Sequence, residues 1–194
     1  MFLDDLTIDN YLKEEVKINL LWANVLSIII FIIFGTFFTL LFYLFWPNRF
    51  IFGFNVGFVF ISIILIGIIF HEIIHGVFFS IYCKNGYKSV KIGIMPARQL
   101  FTPYCNCKEI LKINQYRLAL IMPTIIMGIL PAVIFLVIGN FTLLIFSIIF
   151  IGAGAGDLLM LTKLRKMDNN CLVLDHPSAP SFTIYKPLNV NSAV

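Results

Sequence analysis

Apolar residues dominate four long stretches of this chain, separated by short polar connections. Asn24 to Trp46 is 23 residues without a formal charge. As a helix it is roughly 34 Å long, enough to cross a bilayer. Phe50 to Cys83 carries Glu72 as its only formally charged side chain. It is too long for one upright span, and Gly53, Asn55 and Gly57 predict a loop or interfacial turn before a helix from about Phe58. Leu118 to Ile138 contains Pro123 and Pro131, which membrane helices tolerate when neighbours satisfy the freed carbonyls. Phe141 to Thr162 is the fourth stretch. Only Gly139 and Asn140 separate it from the third, so a tight antiparallel helical hairpin is expected there.

The pattern predicts an all-α integral membrane protein, a single domain over residues 1–194. About four transmembrane helices are expected, near 24–46, 58–83, 118–138 and 141–162. Between the second and third, Ser89 to Ile94 alternates polar with apolar positions, the period of a half-exposed strand. Pro96 and Pro103 bracket a turn, and Leu100 to Ile113 can return as a second strand. The connection therefore reads as a short β-hairpin at the membrane edge. Tyr11 to Trp22 mixes Lys13, Glu14, Glu15 and Lys17 with Leu12, Val16, Leu20 and Leu21. It reads as an amphipathic helix on the membrane surface, with a plain lead-in to the first span as the alternative. Met1 to Asp9 has three Asp and no Lys or Arg, unlike a cleavable signal peptide.

Composition supports the membrane class. Hydrophobic residues make up 60% of the chain and charged residues 12%, against about 25% charged in soluble domains. Of the 14 Lys and Arg, Arg49 alone lies between the first and second stretches, and none lies in the Gly139-Asn140 turn. With four spans the positive-inside rule places both termini in the cytoplasm of a multi-pass cell-membrane protein. The bilayer is then the expected partner of the basic residues, and the net charge of +4 requires no nucleic acid. Cys83, Cys105, Cys107 and Cys171 fall on the same expected cytoplasmic side, where thiols stay reduced. Cys105-Asn106-Cys107 with Cys83 is a poor tetrahedral set for a second metal.

The chemistry is concentrated in His71-Glu72-Ile73-Ile74-His75. Ionisable groups inside a membrane segment cost a few kcal/mol each and mark function. Residues i and i+4 share one face of a helix, so His71 and His75 can hold one Zn²⁺ at about 2.0–2.1 Å each. Glu72 is rotated by about 100° from His71, flanks the metal, and can act as general base on a water that the metal acidifies. The extended metzincin pattern is absent, because Phe78 and Ile81 stand at its Gly and His positions.

Two imidazoles leave zinc short of the three protein ligands of a catalytic site. Between Leu118 and Thr162 the only charged residue is Asp157, preceded by Gly152-Ala153-Gly154-Ala155-Gly156. Small residues permit the close helix approach that a short Asp side chain needs to reach a metal on another helix. Glu109, Asp168, Asp175 and His176 are the competing donors, and Asp157 can instead pair with Lys163 or Arg165.

The helix HEIIHG (His71 to Gly76), the stretch RLALIMP (Arg117 to Pro123), the Gly-rich approach to Asp157, and Val173-Leu174-Asp175-His176-Pro177 resemble a membrane family of zincin-type peptidases. A more distant similarity is to the site-2 proteases. The resemblance spans about residues 50 to 187. It implies zinc held by His71, His75 and Asp157, with Glu72 as general base. This chain lacks the Asn-Pro lead of the site-2 proteases and reads Gly156-Asp157 where they place Asp before Gly. The expected function is metal-assisted hydrolysis of a peptide bond in a membrane-protein or peptide substrate. The alternative is a non-proteolytic membrane protein that binds or transports a metal or protons through His71, His75 and Asp157.

Overall fold

The structure, a computed structural model, describes residues 11–50, 58–97, 100–176 and 181–188. The reading of Met1 to Asp9, the turn assigned to Gly53, Asn55 and Gly57, and Pro177 of the resemblance lie outside these residues. The chain divides into two compact units, one of Met1–Asn19, Glu72–Leu120 and Met160–Val194, the other of Leu20–His71 and Ile121–Leu159.

The second unit is helical. It contains α1 (Leu20–Phe45), the first half of α2 (Phe58–Tyr82), the end of α3 (Ile113–Pro123), α4 (Leu130–Ile138), α5 (Phe141–Ala153) and the start of α6 (Ala155–Leu164). A π-helical turn, Thr124–Ile129, joins α3 to α4. Gly139 closes α4 at φ 75°, and the Asn140 side chain accepts from Leu143 N to start α5. Phe38, Phe42, Ala132, Leu144, Ile148 and Ile151 form the core. Most of the apolar surface of α1 faces outward: Ile28, Ile32, Ile33 and Leu40 are more than half exposed. So much exposed apolar surface is a liability in water and is suited to lipid. Two side chains tie the helices by polar bonds, Ser27 Oγ to the Gly152 carbonyl at 2.8 Å and Trp46 Nε1 to the Leu136 carbonyl at 2.9 Å.

The other unit carries the strands. β1 (Tyr11–Lys17), β4 (Leu111–Lys112), β5 (Leu172–Asp175) and β6 (Ser181–Pro187) form an antiparallel sheet in the order β1-β6-β5-β4. β2 (Val90–Ala97) and β3 (Leu100–Cys107) form the expected hairpin, with Gly93 opposite Tyr104. Phe79 of α2, Tyr116 of α3 and Phe182 of β6 stack in series at 5.4 and 6.0 Å. Ile113, Val173 and Ile184 of the same unit are fully buried.

Three expectations are corrected. The fold is mixed α/β rather than all-α, with six strands in two sheets among the described residues. Of the segment Tyr11 to Trp22, expected as a surface helix, Tyr11–Lys17 is strand β1, paired along its length with β6, and Leu20 onward belongs to α1. The charges of β1 are cross-strand partners, Glu14 bonding Lys186 and Lys13 lying over the Tyr185 ring. The four uniform spans are also not found. Among the described residues three helices are long and apolar enough to cross a membrane, Leu20–Phe45, Phe60–Tyr82 and Ile113–Ile138, which is compatible with a membrane protein. The fourth stretch is α5 and α6, bent by 43°. The bend falls at Gly154, where Thr124 packs so close that a Cβ would lie 2.1 Å from its Oγ1.

The π-turn approaches α5 as closely. A Cβ on Gly128 would lie 3.0 Å from the backbone nitrogen of Ile151, an atom that cannot rotate away. Gly128→Ala is therefore expected to destabilise the helical unit by about 1–3 kcal/mol, read as a lower thermal midpoint in detergent.

Candidate metal centre

α2 runs unbroken through His71-Glu72-Ile73-Ile74-His75, so the helix alone sets the relation of the two imidazoles, one turn apart on one face. Both are buried, at 8% and 5% exposure, and Glu72 is half-buried. Gly76 follows at once, and Val90 and Ile92 of β2 rest against it at the distance of a would-be Cβ contact, 3.3–3.4 Å. The hairpin thus packs on the helix beside the motif.

Asp157 lies in the first turn of α6, where the partial positive charge of a helix N-terminus favours a carboxylate. The bend at Gly154 starts that turn. Asp157 Oδ2 is 3.0 Å from His71 Nε2. His75 is held from its other side: its Nδ1–H donates to the Ala119 carbonyl at 3.0 Å, and its ring stacks on Phe79 at 6.1 Å. A carbonyl can only accept, so Nδ1 carries a proton, and in the neutral imidazole Nε2 then keeps its lone pair.

One donor atom from each of His71, His75 and Asp157 lies within 4.8 Å of the others. His75 shares α2 with His71, and Asp157 is joined to His71 by the bond above. Ligand atoms about 2.0 Å from a tetrahedral zinc lie roughly 3.3 Å apart, close to the 3.0 Å of the His71–Asp157 pair. Two imidazoles and a carboxylate are also a common catalytic zinc donor set. The cluster is compatible with metal binding.

The competing donors are placed elsewhere. Glu109 is tied to the end of α2, accepting from Lys84 N at 2.6 Å, Asn85 N and Nδ2 at 3.1 Å each, and Ser89 Oγ. Asp168 accepts from Asn170 N at 2.8 Å. Asp175 accepts from Tyr116 Oη and from Cys107 N, the latter at 2.9 Å. The His176 carbonyl accepts from Asn106 Nδ2 at 3.0 Å. Cys83 and Cys107 bring their sulfurs to 2.9 Å. Among the described residues the only cluster of three metal-capable groups is His71, His75 and Asp157.

Glu109 has a pH consequence. Burial would raise its pKa, but the bonds from Ser89, Lys84 and Asn85 outweigh burial and hold it below the ordinary glutamate value of 4.5. A depressed folded-state pKa contributes stability that is present above the unfolded value and lost as pH falls through the folded one. Acid unfolding of the wild type is thus expected to steepen below about pH 4.5, and Glu109→Gln to flatten that dependence. Thermal midpoints measured from pH 3 to 7 check this.

Two residues that support the centre carried no sequence signal for that role. The Ala119 carbonyl is backbone. Arg117 opens the RLALIMP stretch and counts among the basic residues, but nothing in the sequence names its partners: its Nη2 donates to the Leu164 and Met167 carbonyls at 2.6 and 2.8 Å, closing the end of α6. Its Nη1 bonds Asn114 and Asn169 at 2.8 and 2.9 Å.

Comparison with known families decides the affiliation. A family model described as "Putative zincin peptidase" matches residues 63–172, more than half of the chain. The chain belongs to this family. No curated protein and no solved structure matches it. Membership in the zincin-peptidase family indicates a zinc metallopeptidase, and the matched region contains the whole His71, His75 and Asp157 cluster.

Proposed function

We propose that the protein is a membrane-embedded zinc peptidase of the site-2 protease type, with zinc held by His71, His75 and Asp157 and Glu72 as general base. The observation that carries this reading is the convergence of Asp157 on the buried imidazoles of an HExxH helix. Bound zinc would polarise the scissile carbonyl and acidify the attacking water. Glu72, one residue from His71 and half-buried, takes the proton from that water and returns it to the leaving amine.

The substrate is a membrane-protein or peptide segment held extended. β2 pairs with β3 alone among the described residues, leaving its other edge for an added strand. Ile92 and Ile94 are 47% and 64% exposed along it. The sheet also bears on orientation. β1, β4 and β6 belong to one sheet, which supports a reading in which the N-terminal segment, the connection before α3 and the C-terminal segment share one side of the membrane. The Lys and Arg excess in these segments supports a cytoplasmic side for them in the cell membrane.

The test is hydrolysis of a quenched-fluorescent peptide library by the full chain in proteoliposomes. Cleavage that is abolished by a chelator and restored by zinc supports the reading. Cleavage indifferent to the chelator, or none by the zinc-loaded protein, contradicts it.

A further inference from the structure

His75 Nδ1 bonds a carbonyl that lies four residues before a proline on another helix. Pro123 ends α3 with φ −60° and ψ −42°, ordinary right-handed helix. In an α-helix residue i donates its N–H to the carbonyl of residue i−4. For residue 123 that carbonyl belongs to Ala119, the one that accepts from His75 Nδ1 at 3.0 Å. Proline has no N–H to donate, and its ring crowds the i−4 carbonyl away from the axis of its own helix. Ala119 is fully buried and His75 is 5% exposed, so bulk water is a poor substitute for either partner.

We propose that Pro123 is a positioning residue of the metal centre: by withholding its N–H it leaves the Ala119 carbonyl to take the Nδ1 proton of His75, which fixes the imidazole with Nε2 toward the metal. This deepens the zinc reading above and rests on it. Outer partners of this kind set ring orientation and tautomer, and their loss costs about 10–100-fold in metal affinity. Membrane helices need a neighbour to satisfy a carbonyl that proline frees, and here the neighbour is a ligand side chain. The π-turn that follows at Thr124–Ile129 belongs to the same disturbance of the helix, a feature that recurs at functional sites. Pro131, at the start of α4, lies eight residues further on and provides the control.

Because residue 123 sits in helical backbone, alanine fits there and restores the missing donor. The experiment compares wild type, Pro123→Ala, Pro131→Ala, and a chain with lactic acid at position 123. The last has an ester in place of the amide, so it lacks both the ring and the N–H. Two quantities are read: the His75 tautomer by ¹⁵N NMR of zinc-free protein in nanodiscs, and zinc affinity by chelator competition. The expected result is that Pro123→Ala loses the Nδ1–H tautomer and about 10–100-fold in affinity. The ester chain and Pro131→Ala should match wild type. Pro123→Ala that keeps tautomer and affinity overturns the proposal. So does an ester chain that behaves like Pro123→Ala, since the ring would then be responsible. If the wild type binds no zinc, the metal reading fails, while the tautomer comparison in zinc-free protein still decides whether Pro123 sets the His75 proton.

Discussion

Glu72→Gln is expected to abolish peptide hydrolysis while leaving zinc bound. Glutamine has nearly the shape of glutamate but cannot accept the proton of the attacking water. General-base catalysis is worth about 10²–10⁴-fold, so kcat should fall by at least that range. The ligands are untouched, because Glu72 is not among the three clustered donors. Its position one residue after His71 rotates it off the face shared by His71 and His75. Parallel measurement of kcat in proteoliposomes and of zinc per chain checks the split. Loss of zinc together with activity would make Glu72 a ligand. Unchanged hydrolysis would remove it from the chemistry. A protein that binds or transports a metal without hydrolysis would have no activity to lose, so the same experiment separates that alternative.

Asp157→Ala is expected to weaken zinc binding by more than the roughly 10–100-fold typical of losing an outer partner, because in the proposed centre it deletes a direct ligand. His71 would keep its place on α2, but the carboxylate 3.0 Å from its Nε2 would be gone. Only two protein donors would remain, below the three of a catalytic zinc site. Asp175→Asn is the matched control, since Asp175 is committed to Tyr116 and the Cys107 N–H. It should keep zinc and lose stability instead. Chelator competition on both variants reads the difference. Equal affinities would move the third ligand away from Asp157.

The apolar stretches and the HExxH spacing were legible because each is local. Charge-free runs of spanning length and an i, i+4 pair need no knowledge of the rest of the chain. The place of Asp157 beside His71 was suggested for a related reason, its standing as the lone charge in the stretch from Leu118 to Thr162. The four-stranded sheet was not. β1 pairs with β6 from the far end of the chain, and β4 is two residues long, so neither pairing leaves a local period. The charges of β1 imitated a helix face because their partners, Lys186 and Tyr185, are remote in sequence. The glycines before Asp157 were read as a surface for close helix packing. The packing is there, but Thr124 against Gly154 accompanies a bend rather than a straight span. The Ala119 carbonyl could not be read as a partner of His75, since any residue supplies a carbonyl. Only Pro123, four residues on, distinguishes it.

The most direct test of the ligand set is zinc K-edge X-ray absorption on the purified, zinc-loaded full chain. Two imidazole nitrogens and carboxylate oxygen at about 2.0–2.2 Å, without sulfur, are predicted. Sulfur at about 2.3 Å would place the metal at the Cys83–Cys107 pair and contradict a centre built on His71, His75 and Asp157.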